Sequence, residues 1–246
     1  MPRLAPQRLV LLSGWGVDKR IWQPLADYWP DGSEVSRVDW PGYGDVSALP
    51  EPASLTSLAH AMADQLPSDA VWVGWSLGGL LATALLDYLP APRGLILIGA
   101  GERFCSDDGV STAELATFCR AFHRDPVATW RHFLRWQSQG EPNARHAHRQ
   151  LRDLLGDTPS ADTGTLSQGL SWLATLDNTQ RLHSAPCPVV RLVGQHDPLV
   201  GDSAHRHALQ ITHAGHCPML SQPAPLATII AEQAATITQQ AVKETL

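Results

Sequence analysis

The stretch Gly74-Trp75-Ser76-Leu77-Gly78-Gly79 joins the apolar run Val71-Trp72-Val73 to a helical pattern over residues 77–89. A serine between glycines at a strand-to-helix turn narrows the possible folds more than any composition figure does. Flanking residues without side chains let the backbone turn sharply, and the turn lifts the hydroxyl above the end of a sheet. The helix that starts there also aims free amides and its positive dipole end at the same point, where an anion would be stabilised.

The rest of the chain supplies the sheet that such a turn requires. Apolar runs over residues 9–13, 35–39, 70–74, 94–99 and 188–194 read as buried strands, each leaving through a glycine or proline turn. Helical patterns over 19–29, 54–65 and 77–89 alternate with the first four. That alternation predicts right-handed crossovers and a mostly parallel, doubly wound α/β sheet. Between about 105 and 184 the signals are helical only: a capping box at Ser111-Thr112-Ala113-Glu114, an Asp125-Pro126 helix start, and stops at Gly140 and Gly156. The expected organisation is therefore a core of residues 1–104 and 185–246 interrupted by a helical cap over 105–184. A further short strand is expected near 209–212 and a closing helix over 225–240. With 246 residues, the chain is of a length that α/β folds keep as one domain.

Composition excludes several classes. No apolar stretch approaches the roughly 20 residues of a membrane span. The four cysteines, Cys105, Cys119, Cys187 and Cys217, lack the spacing of a zinc site or a disulfide framework, which fits a reducing, cytoplasmic setting. A formal charge of −6 gives no reason to expect nucleic acid. The charge is nonetheless uneven. Residues 120–153 hold seven arginines and three acids, while the remaining 11 basic and 21 acidic residues leave the rest at −10. The arginine-rich segment reads either as a solvated helix face or as a contact surface for an acidic partner.

A nucleophilic serine needs a base and an orienting carboxylate, which in this architecture follow it in the order acid, then histidine, on loops after later strands. Asp197, in Gly194-Gln195-His196-Asp197-Pro198, stands directly after the fifth run, with Asp202 as the alternative. His216, in Ala214-Gly215-His216-Cys217-Pro218, is the late histidine in a tight loop, with His213 its nearest competitor. Oxyanion donors are expected from the amides of Leu77 and Trp15, the latter in Ser13-Gly14-Trp15-Gly16 after the first strand. The Trp15 indole would then face the substrate, unless it is a core side chain in a tight turn.

At these residues the chain resembles the α/β-hydrolase superfamily over essentially its whole length. It resembles more sharply the biotin-pathway carboxylesterases that demethylate pimeloyl-acyl-carrier-protein methyl ester. The stretches LVLLSGWGVDKRIW, VDWPGYG, VWVGWSLGGLLAT, RHFLRWQSQG and RLVGQHDPLV carry the likeness. The resemblance implies a Ser76, Asp197, His216 triad, an oxyanion hole from the Trp15 and Leu77 amides, and Trp75 beside the substrate. It further implies that Phe133, Leu134, Arg135, Trp136 and Gln137 line an acyl channel, and that cap arginines grip an acidic acyl carrier protein. Arg145, Arg149 and Arg152 would form one stripe of a helix opposite Leu151, Leu154 and Leu155, with Arg131 on the preceding helix. The expected enzyme is a cytoplasmic monomer that needs no metal or organic cofactor and engages neither membrane nor nucleic acid. Two departures from the superfamily stand out: Ser13 replaces a common histidine, and the chain enters its first strand almost at once. Two other readings stay open: a hydrolase of free small acyl substrates, and a hydrolase-like receptor that binds without turnover.

Overall fold

Buried apolar runs without polar alternation belong to a sheet covered on both faces, and Val71–Trp75 (VWVGW) and Gly94–Ile98 (GLILI) are buried at every position. The computed structural model, which describes residues 7–244, places them at the centre of six strands in the order β2-β1-β3-β4-β5-β6. The strands are β1 (Gln7–Leu12), β2 (Ser33–Val38), β3 (Val71–Trp75), β4 (Gly94–Ile98), β5 (Val189–Gly194) and β6 (Leu209–Ile211), and every neighbouring pair is parallel. The helices of the core are α1 (Leu55–Met62), α2 (Leu77–Ala84), α8 (Asp202–Arg206), α9 (Pro218–Ser221) and α10 (Pro223–Glu244). Five more, α3 (Thr112–Arg124), α4 (Pro126–Gln137), α5 (Ala144–Leu155), α6 (Thr163–Thr175) and α7 (Thr179–His183), fall between β4 and β5. They share one hydrophobic cluster with the sheet: Phe122, Trp130 and Leu170 belong to the same buried group as Leu11 and Trp15.

Strand order fixes where a site can form. The chain runs outward from β1 to β2, then crosses back to β3 on the other side of β1. Loops leaving β1 and β3 therefore diverge and open a crevice at the carboxyl ends of those two strands. The loop after β1 and the turn after β3 meet there: a Cβ on Gly14 would lie 3.0 Å from that of Ser76.

Three helices differ from expectation, and in one of them the pattern over 77–89 is α-helical only to Ala84 and continues as a 3₁₀ turn over Leu85–Asp87. Residues 19–29 do not form an α-helix but a 3₁₀ segment, Lys19–Tyr28, because Pro24 in its middle lacks an N–H and its ring crowds the preceding turn. The helix expected over 54–65 is capped by Ser54, whose side chain accepts from the Ser57 N–H, but the regular α-helix stops at Met62.

Helix α2 lies close against β1. A Cβ on Gly78 would come 2.5 Å from the carbonyl oxygen of Ser13 and 2.7 Å from that of Leu12. These are backbone atoms that cannot rotate away. Gly78→Ala is expected to destabilise the protein by about 1–3 kcal/mol through forced overpacking, measured by urea unfolding; an unchanged midpoint would show that α2 can move off β1 freely.

Candidate active site

Ser76 has φ 55 and ψ −125, a region that side chains normally avoid, and its backbone is held there from both sides. Its N–H donates to Ile98 O on β4 (2.9 Å), and its carbonyl accepts from the N–H groups of Gly79 (2.9 Å) and Leu80 (3.2 Å). The hydroxyl caps nothing in the helix it precedes, so Oγ is left for chemistry.

His216 and Asp197 form a buried pair at 2.7 Å between Nδ1 and Oδ2. Asp197 also accepts from the Leu199 N–H (2.9 Å), which fixes the carboxylate's orientation. The exit of β4 presses against this pair: a Cβ on Gly99, at φ +57, would stand 3.0 Å from both Asp197 Oδ2 and His216 Nδ1. Only glycine meets both demands, the left-handed backbone and the close approach. The other imidazole nitrogen, Nε2, has no hydrogen-bond partner among the described residues, so no bond to Ser76 Oγ is closed. In an enzyme without substrate that contact is often long and tightens only on binding. Asp202 and His213 are both exposed, and neither is paired with His216. Cys217, next to the imidazole, is buried; burial, reinforced by the charges of Glu141 and Asp197, pushes its thiol well up, so it is not a rival nucleophile.

The loop Ser13-Gly14-Trp15-Gly16 is held by side chains from distant elements. Trp40 donates its indole N–H to Ser13 O (2.8 Å), Trp130 on α4 donates to Gly16 O (2.6 Å), and the Gly16 N–H donates to the Tyr43 hydroxyl (3.0 Å). Burial pushes the Tyr43 phenol up, keeping it neutral in this role. The Trp15 N–H donates to no acceptor among the described residues, and Leu77, as the first residue of α2, has an amide with no intrahelical partner. Two free amides thus flank Ser76, an arrangement that can receive an oxyanion. Trp40, Tyr43 and Trp130 escaped the sequence reading; the first two lie within VDWPGYG, whose role there was only one of likeness.

The Trp15 indole takes the core position that its sequence left open, and neither Trp75 nor the 133–137 stretch lines the open cavity. The Trp15 indole is buried, donates to Leu166 O on α6 (2.8 Å), and packs edge-on to Phe118, Phe122 and Phe133. Trp75 is fully buried with its N–H on His216 O (2.7 Å). Both indoles organise the site's walls because their N–H groups have found carbonyl partners inside the protein. Phe133, Leu134 and Gln137 are buried, Trp136 is half-buried and Arg135 is exposed. None of the five borders the open cavity above Ser76. That cavity, of about 930 Å³, lies between residues 99–113 and 199–207, with Leu80, Ala100, Phe104, Leu199 and Val200 among its apolar walls.

Among the arginines, Arg131 donates to Asp157 O (2.9 and 3.0 Å) and Arg152 pairs with the Asp157 carboxylate (2.7 Å). Arg145 and Arg149, one turn apart on α5, are exposed and form no ion pair among the described residues.

Residues 9–229 match the alpha/beta hydrolase family. The chain is 33% identical over 233 residues to the pimeloyl-acyl-carrier-protein methyl ester esterase of Sodalis glossinidius, covering 88% of this chain and 89% of that protein. It is 31% identical to the protein of the same name from Vibrio cholerae, again covering 88% and 89%. Among solved structures, an esterase from Exiguobacterium antarcticum superposes with a TM-score of 0.77 at 18% identity, covering 94% of this chain and 93% of that one. An esterase from Thermogutta terrifontis superposes at 0.73 and 22% identity, covering 95% and 91%. At these identities the structural likeness is one of fold.

Ser76→Ala and His216→Ala are each expected to lower kcat on a p-nitrophenyl ester by about 10⁴-fold or more, with the fold intact by circular dichroism. Asp197→Asn should cost less than removing the serine, because it misorients the imidazole but keeps the nucleophile. Asp202→Asn should behave as wild type. A larger loss for Asp202→Asn than for Asp197→Asn would reassign the acid.

Proposed function

The chain belongs to the alpha/beta hydrolase family, among its pimeloyl-acyl-carrier-protein methyl ester esterases, and we propose on that premise that it hydrolyses the methyl ester of pimeloyl-acyl-carrier protein in biotin biosynthesis. The observation that supports this chemistry is a buried His216–Asp197 pair packed against Gly99, which lines the same cavity as Ser76 at its strained turn. In this mechanism the His216 Nε2 takes the Ser76 proton as Oγ attacks the terminal ester carbonyl. The amides of Trp15 and Leu77 receive the oxyanion, and His216 returns the proton to the departing methoxide. Water, activated by the same imidazole, then attacks the acyl-enzyme; its hydroxyl becomes part of the product carboxyl and its proton returns to Ser76.

The acyl chain fits the cavity walled by Leu80, Phe104 and Leu199, while the carrier stays outside. We assign Arg145 and Arg149 as the carrier's first contacts, because they are exposed cations at adjacent turns of α5 with no partner of their own among the described residues. Arg152 and Arg131, bound to Asp157, would join by exchanging partners. The enzyme is read as acting as a monomer in the cytoplasm; no helix among the described residues is long and apolar enough to cross a membrane.

The double variant Arg145→Glu/Arg149→Glu is expected to raise KM for the carrier-bound ester, because exposed complementary charges act through encounter and orientation. Dimethyl pimelate should be hydrolysed as by wild type. Wild-type turnover of the carrier substrate, but not of the free ester, should fall as salt rises through about 0.15 M, where the screening length is roughly 8 Å. Equal effects on both substrates would remove these arginines from docking. Failure of the gene to restore biotin-independent growth to a host lacking its own pimeloyl-carrier demethylase would count against the substrate itself.

A further inference from the structure

Glu141, in the turn joining α4 to α5, is a buried carboxylate with no cationic partner among the described residues. Its Oε1 accepts the Cys217 N–H at 2.7 Å, and its Oε2 is buried without a partner. Removing a carboxylate from water for one amide bond is costly, so a buried acid of this kind calls for an explanation.

The bonded amide supplies one. The Cys217 N–H belongs to the same peptide unit as the His216 carbonyl, and that carbonyl accepts the Trp75 indole N–H at 2.7 Å. One peptide plane, directly after the Cα of the histidine, is therefore gripped at both ends. Trp75, adjacent to Ser76, holds the oxygen, and Glu141, from the helical layer, holds the nitrogen. With the plane fixed, the Cα of His216 is held in place from its carbonyl side, and Asp197 orients the imidazole from Nδ1. The same turn is fitted to both catalytic loops by backbone approach. A Cβ on Gly215 would lie 2.8 Å from Glu141 N and 2.7 Å from Gly140 C, and one on Gly140 would collide with His196 O. The Cys217 thiol adds a weak donor contact to Gln137 O at 3.5 Å.

We propose that Glu141 is a positioning residue for His216, its carboxylate oxygen clamping the peptide that carries the imidazole so that Nε2 stays aimed at the nucleophile. The inference rests on His216 being the general base, and goes beyond it by adding a fourth side chain that touches no reacting atom. A misplacement of about 1 Å in a catalytic group can cost roughly 10²-fold in rate.

The full-length enzyme and p-nitrophenyl butyrate provide the test. Glu141→Gln keeps an oxygen acceptor for the Cys217 N–H, whereas Glu141→Met has similar length and none. Glu141→Met is expected to lower kcat by about 10- to 100-fold with KM little changed, after normalisation to sites titrated at end point by a fluorophosphonate. Glu141→Gln should recover most of that loss. The deshielded Nδ1 proton resonance of His216 should shift or broaden in Glu141→Met and return in Glu141→Gln, a response that loss of global stability alone does not give. Should Glu141→Met fail to fold, Glu141→Asp, which keeps the charge but shortens the reach, is expected to show the same loss in kcat alone. Wild-type kcat per titrated site in Glu141→Met or Glu141→Asp, or an equal loss in Glu141→Gln, would overturn the proposal. His216→Ala measured alongside separates the two ideas: if that variant stays active the triad assignment fails, whatever Glu141 does.

Discussion

The backbone of Ser76 is the constraint around which the rest is arranged. A non-glycine residue held in so sparsely populated a region costs on the order of 1–3 kcal/mol, and it persists only where the surroundings leave no alternative. Here β4 holds the amide through Ile98 O, and the first turn of α2 holds the carbonyl. The glycines at 74, 78 and 79 let strand, helix and β1 close to backbone contact around it. The strain has a chemical consequence: the serine that precedes the helix does not cap it, so its hydroxyl stays free where Ser76 lines the cavity.

Around that turn, long-range hydrogen bonds do the positioning. Indoles of Trp40 and Trp130 hold the two carbonyls that bracket the loop Ser13–Gly16, Tyr43 takes the Gly16 amide, and the Trp15 N–H is not bonded among the described residues. A tryptophan suits this work because it fills core volume and brings one donor that must find an acceptor once buried. Trp15 and Trp75 follow the same rule, tying the loop to α6 and the nucleophile strand to the histidine loop. The walls of the site are thus held by the packing of the core.

Charge follows a different logic on α5. The Arg152–Asp157 pair is more than half exposed, so it contributes no more than about 0–1 kcal/mol. A contact that weak can be exchanged for another at little cost, so Arg152 is tied only loosely on a helix where Arg145 and Arg149 form no ion pair among the described residues. Buried Asp197 has no such freedom: its two oxygens are committed to Leu199 N and His216 Nδ1, and its role is to hold still.

What the sequence by itself determined was whatever is written in short-range pattern. The apolar runs, the helical period and the glycine turns placed the six strands to within about two residues at each end, and strand-to-loop succession pointed to Asp197 and His216, which the structure pairs. The same local reading failed inside 19–28, where Pro24 breaks a helical pattern that amphipathicity alone supports. Only the tertiary structure decided where buried polar atoms would find partners. Trp130 reaches a carbonyl 114 residues away, Trp15 one 151 away, and Glu141 an amide 76 away. It also decided that residues 99–113, not Phe133 to Gln137, line the open cavity, and that Asp157 binds two of the four cap arginines expected to face a carrier. The physical reason is that a side chain's propensity and period act within a few residues, whereas a buried donor takes whichever acceptor the completed packing leaves within 3 Å or so.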